Sequence, residues 1–587
     1  MSSVFISNVD DYLAPSQACV NPLFSESFNN KNDKAPDETA GLVVAVTRKQ
    51  VLRRSKRPLI DAAIPKAPTE TAKVSMADCL ACSGCVTTAE TVLVEQHSLK
   101  TLHELLANNN RKVCMTLSPA SLADFFRHLQ VTTNQTNMLK RQLATFLATT
   151  CQASLVVDGQ VPLSWSLMEA SLEFVHVYRI NQARGTMDYD RHSPPKPSIA
   201  ISALKSQVLG DIHGQSQITI THKTGRDDGS CQLPLISATC PALVCLVEKS
   251  HARAVSHLAS TKSPMSMAGA YYKHILQDST ILHIAIMPCH DKKLEASRKD
   301  MAWGDTLLIP DVDLVLTTTE LVQLLEQTCR TSSVVDMRLY LEGLAPAPTI
   351  TSLLEYTSSR TDVALVATLP NGHFQSKLSS TNNEFYAYTS GGYADYIFQF
   401  ACRELFGYSI PGGNVPWLPV ASTQRQSARA ANRKKEYHQV TLYRHADGSY
   451  SCEKINNSSK KVLSFCTAYG LQTLQRILLP FDKDTIDFPF DYIEAMACPS
   501  GCLNGGGQVR LSDREDPSET RQRVALSQET METSRVVDAS NTDIYNETIT
   551  PFGHDAQTLL HTRYHVVPQL QFSTGATAGV AVQDTHW

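Results

Sequence analysis

Two sets of closely spaced cysteines, far apart in the chain, limit what this sequence can fold into more than any other feature. Cys79, Cys82 and Cys85 stand in "ADCLACSGCVT", and Cys498 and Cys502 stand in "EAMACPSGCLNGGGQ". The fold has to present thiolates in groups, and soft sulfur ligands so arranged hold iron-sulfur clusters better than ions that prefer oxygen.

At 587 residues a length prior gives about four domains, but α/β proteins often carry extra length as insertions, and two domains with insertions fit this chain better. With 42% hydrophobic and 19% charged residues it can bury a substantial core. A net charge of −4 and a pI near 6.5 give no global field for nucleic acid or an anionic membrane, so neither is expected as a partner. The sequence shows no basic stretch followed by an apolar signal region and no run of about 18 apolar residues, so neither secretion nor membrane insertion is expected. Sixteen cysteines then point to reduced thiols or metal ligands, and to the cytoplasm.

Residues 25–75 are polar apart from "GLVVAV" and read as a small-domain segment or linker. The core signal begins at "KVCMTLSPASLADFF", a buried strand, a turn at Ser118-Pro119 and a helix start. "ILHIAIMPC" is a short apolar run ending at a cysteine. "DVDLVLTTTELVQLLEQ" is a strand entering a helix, with Thr318 or Thr319 as its cap and Leu321, Leu324 and Leu325 at helical spacing. Continuous apolar strands alternating with helices predict an α/β body with parallel sheet, whose ligands sit at strand carboxyl ends, where Cys289 falls. Three stretches read as surface insertions without assigned chemistry: 182–230, the basic Ser422–His438 and 509–548.

A C-x2-C-x2-C run wraps three thiolates around one centre. A bacterial ferredoxin would place its next cysteine where Ala89 stands, so the fourth ligand comes from elsewhere or one iron stays open. Cys19 is the best candidate, since no other cysteine occurs in the first hundred residues, and closing a loop of about 60 residues costs entropy that grows slowly with length. Zinc is the structural rival, although zinc sites more often use paired C-x2-C units.

For the second site, "ISATCPALVCLVEK" offers Cys240 before a proline and "IMPCHDKKLEASR" offers Cys289 after one, to join Cys498 and Cys502. Alone, Cys240 and Cys289 would more often be buried core residues. The proline flanks and the run Gly505-Gly506-Gly507 change that reading, because they let backbone approach a ligand and aim amides at sulfur.

These three segments resemble the signature stretches that hold the active-site cluster of iron-only hydrogenases: a Cys-Pro stretch, an MPC-x-x-KK-x-E stretch and an E-x-M-x-C-x-x-G-C-x-x-GGG stretch. The last is matched by Glu494, Met496, Cys498, Gly501, Cys502 and the three glycines. More closely, the chain resembles the hydrogenase-like proteins of cytosolic iron-sulfur assembly, the Nar or prelamin-A-recognition-factor-like family. That likeness runs from "ADCLACSGCVTTAE" through "CHDKKLEASRKD" and "SGGYADYIFQFACRELFG" to Trp587.

The resemblance implies an N-terminal ferredoxin-like segment (1–105) holding one [4Fe-4S] cluster on Cys19, Cys79, Cys82 and Cys85. It implies a two-lobed, hydrogenase-like α/β body with parallel sheets (106–508) holding a second on Cys240, Cys289, Cys498 and Cys502, then a polar insertion and tail (509–587). It also implies an assembly factor, not an enzyme, linking early scaffold proteins to the late targeting complex that serves extramitochondrial apoproteins. Trp587 would dock that complex as an aromatic carboxyl terminus, with a frayed end as the alternative.

Departures bear on activity. Thr239 stands where hydrogenases carry a proton-relaying cysteine, and it cannot ionise at working pH. Lys292 and Glu295 do match, so an iron-only hydrogenase-type redox enzyme is the alternative, with a zinc-stabilised interaction protein third. Ala242 and Leu243 replace the family's usual Gly and Trp. Cys502 is expected to ligate only the cube. His97 and His103 show no metal spacing, and His290 could contact the second cluster's surroundings. Cys114, Cys151, Cys231, Cys245, Cys329, Cys402, Cys452 and Cys466 are expected in core packing.

Overall fold

The structure is a computed structural model. It describes residues 42–45, 71–74, 88–107, 111–131, 135–183, 232–275, 278–304, 308–332, 334, 336–350, 365–367, 390–413, 415–420, 437–482, 488–499, 501–509 and 559–567. The chain divides into two compact units, 1–92 with 510–515, and 93–509 with 516–587. Described parts of the first include the antiparallel pair β1 (Leu42–Ala45) and β2 (Thr71–Val74).

The larger unit contributes β3 (Val113–Leu117), β4 (Ala153–Asp158), β5 (Leu235–Ile236), β6 (Leu282–Met287), the small ribbon β7 (Ala302–Trp303) and β8 (Ile309–Pro310), and β9 (Leu314–Thr317). There follow β10 (Thr349–Ile350), β11 (Leu365–Ala367), β12 (Leu418–Pro419), β13 (Tyr437–Arg444), β14 (Tyr450–Ser451), β15 (Lys460–Tyr469) and β16 (Tyr492–Met496).

One sheet has the order β10-β11-β4-β3-β6-β9 and is parallel throughout. Its central strands are buried along their whole length because helices cover both faces. Successive residues of β3 point to opposite sides. Met115 and Leu117 pack with Phe125, Phe126 and Leu143, while Cys114 packs with Trp165, Phe174 and Tyr271.

The second sheet, β12-β13-β15-β16-β5 with β14 on β13, adds antiparallel strands to a parallel core. β5, β16 and β15 run parallel, whereas β12, β14 and β15 are antiparallel to β13. The short turn between β13 and β14 passes through Gly448 at φ +86°. A connection that short forces antiparallel pairing. The helices Gln160–Ala183 and Tyr393–Phe406 join the two sheets in one core: Phe174 meets Phe465 at 4.9 Å and Tyr492 at 5.7 Å, and Phe398 meets Phe465 at 5.1 Å.

Helix starts follow local chemistry. Pro119 and Pro241 occupy first-turn positions, where no N–H is needed. The helix Thr318–Thr331 is capped by Thr317, not by Thr318 or Thr319 as expected. Glu320 N–H donates to the Thr317 hydroxyl oxygen at 3.3 Å and Thr317 N–H donates to the Glu320 carboxylate at 2.7 Å. Only Thr317 stands three residues before Glu320, the spacing of a capping box.

Near the carboxyl terminus, residues 559–567 cross the larger unit as a strap. Lys262 N–H donates to the Leu560 carbonyl at 2.9 Å, and Thr562 N–H to the Ser260 carbonyl at 2.8 Å. Val567 N–H donates to the Glu248 carbonyl at 3.0 Å, and the Glu248 carboxylate binds Arg298 at 2.7 and 2.8 Å. The guanidinium of Arg298 lies 5.7 Å from the ring centre of Tyr564.

Candidate cluster site

Cys240, Cys289 and Cys498 follow the carboxyl ends of β5, β6 and β16, and β5 and β16 are adjacent parallel strands. In open α/β sheets this is where ligands bind. Cys240 sits at the N-cap of the helix Pro241–Ser250 in extended conformation (φ −97°, ψ 110°). Its sulfur accepts the Ala497 N–H at 3.5 Å, tying the first segment to the third beside Cys498. Cys289 lies between Pro288 and the helix Asp291–Ala296. Cys502 lies on the 3-10 turn Gly501–Asn504, which begins with Gly501 at φ +75°.

Glycines close the third segment onto the second. Gly507 N–H donates to the Pro288 carbonyl at 2.9 Å. A Cβ on Gly505 would overlap that carbonyl oxygen, and one on Gly507 would lie 2.7 Å from the Thr317 methyl. Gly506 differs: its nearest neighbour would be His290 Cδ2 at 3.8 Å, ordinary contact. Of the three glycines, two are required for close approach.

Burial, reinforced by Asp291 and by the neighbouring Cys498, Cys502 and Cys240, holds the Cys289 thiol well above its ordinary pKa. The four sulfurs therefore share one electrostatic environment. Burial pushes the Cys240 thiol up to about 12, with Cys502 adding to the rise. Burial also raises Cys502, against the pull of the Ser390 hydroxyl and the Lys292 ammonium. Thiols so disposed stay protonated until a cation replaces the protons. All four residues are half-buried, whereas Cys114, Cys151, Cys245, Cys329, Cys402 and Cys466 are buried and Cys452 packs half-buried against the core.

Among the described residues no group of three or more His, Cys, Asp or Glu could hold a single metal ion. A cube takes one thiolate per iron, and the four thiols brought from three segments, with the Ala497 amide on sulfur and the glycine cradle, are donors of the kind it would need.

Around the thiols, Lys292 Nζ pairs with Glu295 at 2.6 Å, and Glu295 accepts from Ser263 and, at 3.1 Å, from Ser266. Glu494 is buried, with burial pushing its carboxyl up to about 7. It accepts the Ala394 N–H at 2.6 Å and the Tyr469 hydroxyl at 3.0 Å, anchoring the helix Tyr393–Phe406 to β16. Thr239 Oγ1 lies 3.2 Å from Ser237 Oγ. Ala242 and Leu243 are both buried, Leu243 beside Ile236 and Ile493.

His97 bonds the Val315 amide and the Ser297 hydroxyl, and His103 is exposed. His290 interacts with the Gly506 backbone, and its buried Nδ1 has no hydrogen-bond partner among the described residues. Ser390, the first residue of the "SGGYADYIFQFACRELFG" stretch, had no role read for it and accepts the Cys502 N–H. Cys19, Cys79, Cys82, Cys85, Cys231 and Trp587 lie outside the described residues, as do 184–230, 422–436 and 510–548 of the expected insertions.

The pattern of the family described as iron only hydrogenase large subunit, C-terminal domain, matches residues 201–506, just over half of the chain. The chain belongs to that family. Beyond it, the sequence is 29% identical over 591 residues to "Cytosolic iron-sulfur assembly component 3" of Pongo abelii, covering 97% of each chain. It is 27% identical over 619 residues to "Probable cytosolic Fe-S cluster assembly factor narfl" of Dictyostelium discoideum, covering 96% of each. A variant of the [FeFe]-hydrogenase HydA1 from Chlamydomonas reinhardtii, 18% identical, aligns over 80% of this chain and 98% of its own with a TM-score of 0.50. That likeness is one of fold. The iron-only hydrogenase family match ends at Gly506, inside the glycine run, and spans the described candidate ligands Cys240, Cys289, Cys498 and Cys502.

Proposed function

We propose that this chain is a cytosolic iron-sulfur assembly factor that binds two [4Fe-4S] clusters and links early scaffold proteins to the late targeting complex, with no hydrogen turnover of its own. The reading rests first on the gathering of Cys240, Cys289, Cys498 and Cys502 from three segments around one buried region. Nearly full-length likeness to proteins named as assembly factors supports it. Cys19, Cys79, Cys82 and Cys85 would hold the other cluster in a ferredoxin-like segment (1–105). The body (106–508) would hold the second, and the tail (509–587) would present Trp587 to the targeting complex, in the cytoplasm and the nucleus.

A bound cube supplies a redox-active, transferable group. The chain's own residues would hold it: the four thiolates as ligands, the Ala497 amide toward sulfur, and Lys292 as a nearby positive charge. The alternative, a hydrogenase-type redox enzyme, is favoured by the Lys292–Glu295 pair and opposed by Thr239, which cannot relay a proton as a thiol would.

Anaerobic purification with iron and sulfide counting, electron paramagnetic resonance and infrared spectroscopy tests these readings. The expected result is about eight irons per chain, roughly halved in Cys19→Ala and in Cys498→Ala, with no carbonyl or cyanide bands. Such bands would establish the alternative. A colourless, zinc-loaded protein would overturn both.

A further inference from the structure

The Cys502 N–H donates to Ser390 Oγ at 3.0 Å across 112 residues of sequence. A serine hydroxyl that accepts from an amide still has its own proton to give, and the Ser390 hydroxyl lies near enough to the Cys502 thiol to pull its pKa down. Ser390 therefore holds the backbone of this cysteine, with its hydroxyl proton available to the sulfur.

Its position is fixed from both sides. Gly391 and Gly392 follow at φ +97° and +72°, backbone that favours glycine, and a Cβ on Gly391 would press Leu163 Cδ1 at 3.0 Å. Two residues later the Ala394 N–H is held by Glu494 on β16, the strand that leads to Cys498. The serine loop and the Cys498–Cys502 segment are thus referenced to the same strand. Cys502 also packs against Ala120 and Leu503, which limits its freedom on the other side.

We infer that Ser390 is a positioning residue for the cluster site: its hydroxyl orients Cys502 by accepting the main-chain N–H and donates to the Cys502 sulfur. Such a bond withdraws electron density from the thiolate and makes the bound iron easier to reduce. The inference rests on Cys502 being a ligand, and it adds a tuning residue outside the cysteine set.

The test uses the full chain, purified anaerobically, with the signal lost in Cys498→Ala defining the second cluster. Ser390→Ala is expected to keep iron near the wild-type level and to shift that signal's reduction midpoint to a more negative potential. Ser390→Thr, which restores the hydroxyl, should return it toward wild type. In resonance Raman spectra, wild type should show a larger shift of iron-thiolate stretching on exchange into deuterated water than Ser390→Ala, in which the Ala497 N–H on Cys240 remains. An unchanged midpoint and isotope response in Ser390→Ala at full iron content would overturn the inference. If Ser390→Ala empties the site, Ser390→Thr decides, a wild-type midpoint and isotope shift supporting the bond and their loss overturning it. If Cys498→Ala removes no signal, the cluster reading itself fails and this inference with it.

Discussion

Gly505 and Gly506 are neighbours in the sequence with unequal demands on space. A side chain on Gly505 has nowhere to go but into the Pro288 carbonyl, whereas Gly506 faces only the edge of His290. Gly505→Ala should therefore cost about 1–3 kcal/mol as an overpacked site and lower iron content, while Gly506→Ala should leave both near wild type. Thermal unfolding and iron counts on the two variants check this. The sequence made the four cysteines visible through their proline and glycine neighbours. Ser390 stood in the quoted stretch "SGGYADYIFQFACRELFG", but its tie to Cys502 was hidden, because a hydrogen bond spanning 112 residues has no local pattern. The unequal glycines were equally hidden, since only the fold reveals what each Cβ would meet.

Among elements, the ends of strands matter most. β5, β6 and β16 deliver three cysteines, and buried apolar runs predicted this for β6, where "ILHIAIMPC" ends at Cys289. The antiparallel part of the second sheet went unread, although β13 alternates half-buried and buried residues with the period of a strand. The threonine run before Glu320 was ambiguous until the strand's last residue was fixed. Glu494 couples elements rather than binding a ligand directly: it joins β16, β15 and the start of the helix that follows Ser390. Glu494→Ala strands the Ala394 amide and the Tyr469 hydroxyl, and should destabilise the protein by about 1–3 kcal/mol. Glu494→Gln keeps an acceptor for the amide and should recover most of that loss. Denaturant unfolding of the two variants at neutral pH separates these outcomes.

For the molecule as a whole, the α/β class and the hydrogenase-like body were legible because the signature stretches are contiguous and rich in cysteine, proline and glycine. The strap at 559–567 was not, since its backbone pairing with Ser260 and Lys262 joins segments 300 residues apart, as the Ser260–His561 contact shows. Ending the chain after residue 567 should leave the second cluster in place, whereas ending it before residue 559 should cost cluster retention, measured as iron per chain after desalting. The strap grips Glu248, on the helix that Cys240 caps. A pull on the chain beyond residue 567 would thus pass through Glu248 into the helix Pro241–Ser250 and reach Cys240 at its start.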